Sequence, residues 1–131
     1  MFFSRQSGNK QDPRIGTGRT GEDLAVCYLE NQGYVIVERN YRKRIGEIDI
    51  IARDGECLVF VEVKTRRNNR YGSPFDAVDF RKQQQVSRVA LAFMTQHRCL
   101  EVPVRFDVVA VYLEEKLSRV ELIKNAFEYN G

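Results

Sequence analysis

Two carboxylates and a lysine stand inside short apolar runs near the middle of the chain. Asp49 lies in Ile45-Gly46-Glu47-Ile48-Asp49-Ile50-Ile51-Ala52, and Glu62 and Lys64 lie in Leu58-Val59-Phe60-Val61-Glu62-Val63-Lys64. Two carboxylates, with the backbone carbonyl of Val63 between the second acid and the lysine, are hard oxygen donors suited to Mg²⁺ or Mn²⁺. Such a cation polarises a phosphoryl oxygen and offsets the charge that develops during phosphodiester hydrolysis. Lys64 beside it would orient and help deprotonate the attacking water, or hold the phosphate as a point charge. Residue type alone leaves both roles open.

The elements that must position these groups are two strands. Both runs are rich in Ile and Val, and Asp54-Gly55 between them is a hairpin signal. With Asp54 and Gly55 as the turn residues, Arg53 pairs with Glu56 and Asp49 falls opposite Phe60. Side chains alternate along a strand, so Asp49 and Glu47 share a face with Glu62 and Lys64. Asp49 and Glu62 are then diagonal neighbours at roughly 7–8 Å. Ile48, Ile50, Val59, Val61 and Val63 point the other way, into a core. A slip of one residue would flip every side chain. Acids alternating with Ile and Val also describe a solvated sheet face, with Lys64 neutralising Glu62. Against that, Glu47, Asp49 and Glu62 gather like charges on one patch, which costs energy without a cation.

The chain has 131 residues, of which 43% are hydrophobic and 30% charged, as in a single soluble globular domain. A net charge of +3 does not by itself point to nucleic acid. Its distribution is more telling. Arg39, Arg42, Lys43 and Arg44 precede the first acid strand, and Lys64, Arg66, Arg67 and Arg70 follow the second. They bracket the acidic patch as a polyanion would require. Arg42, Arg44, Arg66, Arg67 and Lys82 are the candidate contacts to nucleic-acid phosphates. Cys27, Cys57 and Cys99 form no paired motif and read as reduced thiols of a cytoplasmic protein. No apolar run is long enough to span a bilayer, so no membrane partner is expected. The single histidine, His97, near a helix end, reads as exposed or capping.

Along the chain, residues 1–18 read as a flexible tail and 19–131 as one domain. A helix is expected from Thr20 to Asn31 or Gln32, ended by Gly33, then a strand over Tyr34–Glu38 and the two acid-bearing strands. A polar loop over Thr65–Phe75, a helix over Ala77–Gln96, a strand over Val104–Tyr112 and a short edge strand over Val120–Ile123 follow. Their order predicts a small α/β sandwich, a mixed central β-sheet flanked by helices.

Asp49 followed by Glu62-Val63-Lys64 resembles the signature of the PD-(D/E)xK nuclease superfamily, the restriction-endonuclease-like fold. Five stretches resemble the YraN family more closely: Gly21-Glu22-Asp23-Leu24-Ala25, Asn40-Tyr41-Arg42, Gly46-Glu47-Ile48-Asp49-Ile50-Ile51, Val59-Phe60-Val61-Glu62-Val63-Lys64-Thr65-Arg66 and Arg105-Phe106-Asp107-Val108-Val109. They cover roughly residues 16–112. Ile48 stands where the superfamily's nominal motif has proline, which bears no chemistry. The resemblance implies a Mg²⁺- or Mn²⁺-dependent endonuclease acting on DNA, at branched or irregular structures in repair or recombination. Related archaeal Holliday-junction resolvases carry a glutamate on their first helix, which implies Glu22 as a further acid. Junction cutting needs two active sites and so a homodimer, though the sequence marks no dimer surface. The alternative is a non-catalytic module that binds nucleic acid or a protein of a DNA-processing assembly.

Overall fold

The computed structural model describes residues 17–67, 78–114 and 118–131. Most of the expected N-terminal tail and most of the polar loop, Arg70 included, lie outside the described residues. The elements in order are α1 (Thr17–Asn31), β1 (Val35–Lys43), β2 (Gly46–Asp54), β3 (Cys57–Arg66), α2 (Phe80–Gln96), β4 (Val104–Leu113) and β5 (Ser118–Phe127). The strands form one mixed sheet in the order β1-β2-β3-β4-β5. β3 and β4 are parallel and the other neighbours antiparallel. This is the expected α/β architecture, with a core on each face of the sheet. Ala25 and Leu29 of α1 pack with Ile50, Ala52, Val59, Val61, Val109 and Val111. Val86, Val89, Phe93 and Met94 of α2 pack with Ile51, Leu58, Phe60, Phe106 and Val108 on the other.

Local chemistry sets the helix ends. Gly33 takes φ 95°, which glycine adopts without the Cβ penalty. It closes α1 in a Schellman motif, where Tyr34 N–H donates to Leu29 O at 3.0 Å and Gly33 N–H to Glu30 O at 3.0 Å. Asp79 caps α2 by accepting from Lys82 N–H at 2.9 Å. α2 therefore begins three residues later than its apolar periodicity predicts, and α1 begins three earlier, at Thr17.

β1 runs on through Arg39-Asn40-Tyr41-Arg42-Lys43, where the sequence suggested only a basic cluster. The stretch is held by pairing Arg39 with Ile50, Tyr41 with Ile48 and Lys43 with Gly46. β1 is a sheet edge, so its side chains stay largely solvated and hide the strand periodicity; Tyr41 alone of these five is buried. β5 is likewise longer than the four residues expected.

The β2–β3 hairpin differs from the expected register. Asp54 pairs with Cys57 and Arg53 with Leu58, so Gly55 and Glu56 form the loop. Gly55, with φ 64°, supplies the backbone conformation that such a tight loop demands. Arg53 thus pairs with Leu58 rather than Glu56, a slip of two residues. Because the side-chain period is two, that slip changes partners and preserves faces. The recorded β2–β3 pairing ends at Ile50–Val61. Ile48 packs with Ile51 on the α2 side, while Ile50 packs on the α1 side. The alternation breaks around Asp49, contrary to the expectation that Ile48 and Ile50 share a face.

At the other end of the sheet, Asp107 is fully buried yet fully engaged. It accepts from Arg105 Nε and Nη2 at 2.9 Å each, from Tyr34 Oη at 2.8 Å and from Asn125 N–H at 2.9 Å. Arg105 also reaches Asp54 Oδ2 at 2.9 Å.

Candidate active site

Asp49 sits where β2 leaves β3. Val63 N–H, past the end of the recorded pairing, donates to Asp49 Oδ2 at 2.8 Å, so the side chain takes a place the backbone would otherwise fill. Burial pushes the Asp49 carboxyl above its ordinary range. The Val63 amide pulls it down, the charges of Glu22 and Glu47 push it up, and Lys82 pulls it down again.

Glu62, on β3, is buried, with 2% of its surface exposed. Burial first, then the charge of Asp49, push it up to about 8, against the opposing pull of Lys82 and Lys64. Its Oε1 lies 3.5 Å from Lys82 Nζ. Its Oε2 is buried without a hydrogen-bond partner. Lys64, half-buried and two residues along β3, follows Glu62 on the same face by alternation.

Glu22 reaches the site from α1. A Cβ on Gly21 would overlap Thr65 Oγ1, so the helix is pressed directly against β3 at this point. Glu22 Oε1 accepts from Arg39 Nη2 at 3.1 Å and from Asn40 Nδ2 at 3.0 Å. Arg39 Nη2 also holds Asp23 Oδ1 at 2.7 Å. Asn40 takes φ 55°, a left-handed conformation that Asn tolerates better than most residues.

An open cavity of about 940 Å³ connects these groups. The acids Glu22, Asp23, Glu47 and Asp49 line it, together with Arg39, Asn40 and Arg42 and with Val63 and Thr65 of β3. Glu62 and Lys64 do not line it. The structure therefore gathers Glu22, Glu47 and Asp49 at the cavity and Glu62 and Lys82 on the α2 side of β3. Asp49 is common to both groups, since it acts on the charge of Glu62 and feels that of Lys82. Among the described residues no three His, Cys, Asp or Glu side chains converge closely enough to hold a metal ion by themselves.

The basic candidates divide. Arg42 pairs with Glu47 at 3.3 Å while keeping 74% of its side chain exposed. Arg44 and Arg67 are exposed. Arg66 is half-buried, donating from Nη1 to Thr65 O at 3.3 Å, with its Nε buried and unpartnered. Lys82, expected at nucleic acid, sits instead beside Glu62. Sequence reasoning placed Arg39 only in the basic cluster facing a polyanion and gave Asn40 no role, whereas both hold Glu22 in place. The available signal was an asparagine beside an arginine just past the end of the expected first strand.

The family profile described as "Uncharacterised protein family UPF0102" matches residues 21–111, which include every acid of the site. A UPF0102 protein of Syntrophus aciditrophicus is 54% identical over 114 residues, 87% of this chain and 90% of that protein. One of Desulforapulum autotrophicum is 53% identical over 111 residues, 85% of this chain and 92% of that protein. One of Acetivibrio thermocellus is 44% identical over 126 residues, 92% of this chain and 96% of that protein.

Proposed function

The chain belongs to the uncharacterised protein family UPF0102, and from that premise we propose that it is a metal-dependent endonuclease of the PD-(D/E)xK type that hydrolyses DNA phosphodiester bonds. The observation that carries this reading is the buried, unpartnered Oε2 of Glu62 beside Asp49. Two carboxylates, each pushed above its ordinary range, with an oxygen left unsatisfied, make a charge arrangement that a divalent cation relieves. Mg²⁺ commonly takes only one or two protein carboxylates and keeps several waters, so a third converging acid is not required.

Asp49, Glu62 and the Val63 carbonyl would hold the ion, with Glu22 assisting directly or through water. Bound there, Mg²⁺ or Mn²⁺ supplies Lewis-acid polarisation of the phosphoryl oxygen. The chain's own groups do the rest. The Val63 amide fixes one oxygen of Asp49. Arg39 and Asn40 fix Glu22. Lys64 places a positive charge two residues from Glu62, where it orients the water or the phosphate. Arg42, Arg44, Arg66 and Arg67 offer cationic contacts to the DNA backbone. The likeness to junction resolvases supports branched or irregular DNA as the substrate, and two sites on one junction would require a homodimer.

The test is a cleavage panel of four-way junctions, flaps, gaps and single strands with Mg²⁺ or Mn²⁺, run on the wild type and on Asp49→Asn. Metal-dependent nicking of at least one substrate, lost in the variant, supports the reading. Mn²⁺ binding without cleavage of any substrate would favour a second reading, a nucleic-acid-binding module. The contacts of Glu22 with Arg39 and of Glu62 with Lys82 favour that alternative, because each gives its acid a cationic partner without metal.

A further inference from the structure

Lys82 stands at the third helical position of α2, its backbone fixed by the Asp79 cap at 2.9 Å. Its ammonium reaches back across the sheet face to Glu62 Oε1 at 3.5 Å. That is an ion-pair distance, longer than the roughly 2.7–2.9 Å of a strong charge-assisted hydrogen bond. The Lys82 side chain keeps 32% exposure against 3% for Glu62, so a buried carboxyl group is held from one side by a cation that still touches solvent. The other Glu62 oxygen has no partner. A four-carbon stem lets such an ammonium swing away without moving the helix.

We propose that Lys82 is a displaceable positioning cation: it holds one oxygen of Glu62 while the divalent ion is away, and the arriving ion frees its ammonium for a DNA phosphate. The inference rests on the ion site proposed at Asp49 and Glu62. Lys82 and the ion are both cations bidding for one carboxylate, so they repel, and the longer, solvent-touching partner yields. One turn further along α2, a Cβ on Gly46 would lie 2.6 Å from Gln85 Cγ, which brings this helix against the β1–β2 turn. Arg44 is exposed in that turn, so a released Lys82 joins an existing basic surface. By linkage, an ion that releases a DNA-binding group tightens DNA binding, and DNA tightens the ion by the same factor.

Two titrations on the full chain test this, one of Mn²⁺ by calorimetry and one of a labelled four-way junction by fluorescence anisotropy, with and without Ca²⁺ to hold off cleavage. Wild type, Lys82→Met and Lys82→Arg are compared, with circular dichroism confirming folding; Lys82→Gln replaces the methionine variant if that one does not fold. Removing the competing cation should tighten Mn²⁺ binding about threefold or more. It should also abolish the Ca²⁺-dependent gain in junction affinity, and Lys82→Arg should restore wild-type behaviour in both assays. Equal or weaker Mn²⁺ binding by Lys82→Met would overturn the displacement while the ion site stands. A Ca²⁺-dependent gain unchanged in Lys82→Met would overturn the phosphate contact. Absence of Mn²⁺ binding in all proteins would remove the ion site itself, and the role of Lys82 with it.

Discussion

Tyr34 and Asp107, 73 positions apart in sequence, meet at 2.8 Å, hydroxyl to carboxylate, and so tie the loop after α1 to the centre of β4. The hydroxyl is pushed well above its ordinary range by burial and by the hydrogen bond to Asp107. It remains a donor at any physiological pH. Asp107 needs that donor because it is a fully buried carboxylate whose other partners are Arg105 and the Asn125 amide.

Asp107→Ala should therefore cost about 1–3 kcal/mol, because the Tyr34 hydroxyl and the Asn125 amide lose their acceptor while Arg105 keeps its pair with Asp54. Tyr34→Phe should cost about 1 kcal/mol, one hydrogen bond. Urea unfolding of both variants checks this. The Mn²⁺ affinity of the folded protein should stay at the wild-type value in Tyr34→Phe, since this network does not touch the acidic cavity.

The ionisation of Glu62 sets a pH dependence of the metal-free protein. Its folded value of about 8 lies above its ordinary value of 4.5, so the folded state binds more protons than the unfolded state between these limits. Stability contributed by the protonated carboxyl is complete below the lower value and is lost as pH rises through about 8. Asp49 is raised too and acts in the same direction. Glu62→Gln should melt at a higher temperature than the wild type at pH 9, with the difference shrinking toward pH 5. Saturating Mn²⁺ should reverse the order at pH 9 by stabilising the wild type alone. A difference in melting temperature that does not change with pH would contradict the assignment.

Lys64→Ala should lower the cleavage rate by about a hundredfold or more, the scale of losing one charged group that acts in the transition state. Junction affinity in Ca²⁺ should change less than threefold, because phosphate contacts are spread over several arginines. Single-turnover cleavage and anisotropy separate the two effects. A parallel loss of affinity and rate would make Lys64 a binding residue only.

Gly21→Ala tests the seating of α1. The added methyl would overlap Thr65, and overpacking of this kind costs about 1–3 kcal/mol. Because Glu22 is the next residue, the helix shift should also weaken Mn²⁺ binding. The double variant Gly21→Ala, Thr65→Ala removes the hydroxyl that the added methyl would meet and should recover part of both losses.

Much of this was legible in the chain. Ile- and Val-rich runs with an Asp-Gly turn located both acid strands, and Gly33 marked the end of α1, because these signals act locally through φ and side-chain alternation. The hairpin register was not legible. Asp54 reads as a turn residue by type, yet it closes the ladder with Cys57 and serves Arg105 from β4, a partner 51 positions away. The C-terminal half of β1 was hidden by its arginines, since an edge strand has no need of apolar alternation. The site was legible in its acids, whose types carry the chemistry. The cations that restrain them, Arg39 and Lys82, were indistinguishable from other surface charges until tertiary contacts paired them.

The order of strands across the sheet is their order along the chain, and only β3 and β4 run parallel. The first three strands meet through tight local turns and carry both acids, whereas α2 lies in the one long excursion, between β3 and β4. Local pairings close sooner than distant ones. During folding, the meander of β1, β2 and β3 should thus assemble with its negative charges crowded and bare, and the ammonium from α2 arrives only when the excursion docks. A divalent salt present in the refolding buffer should then speed the early phase as well as stabilise the final state.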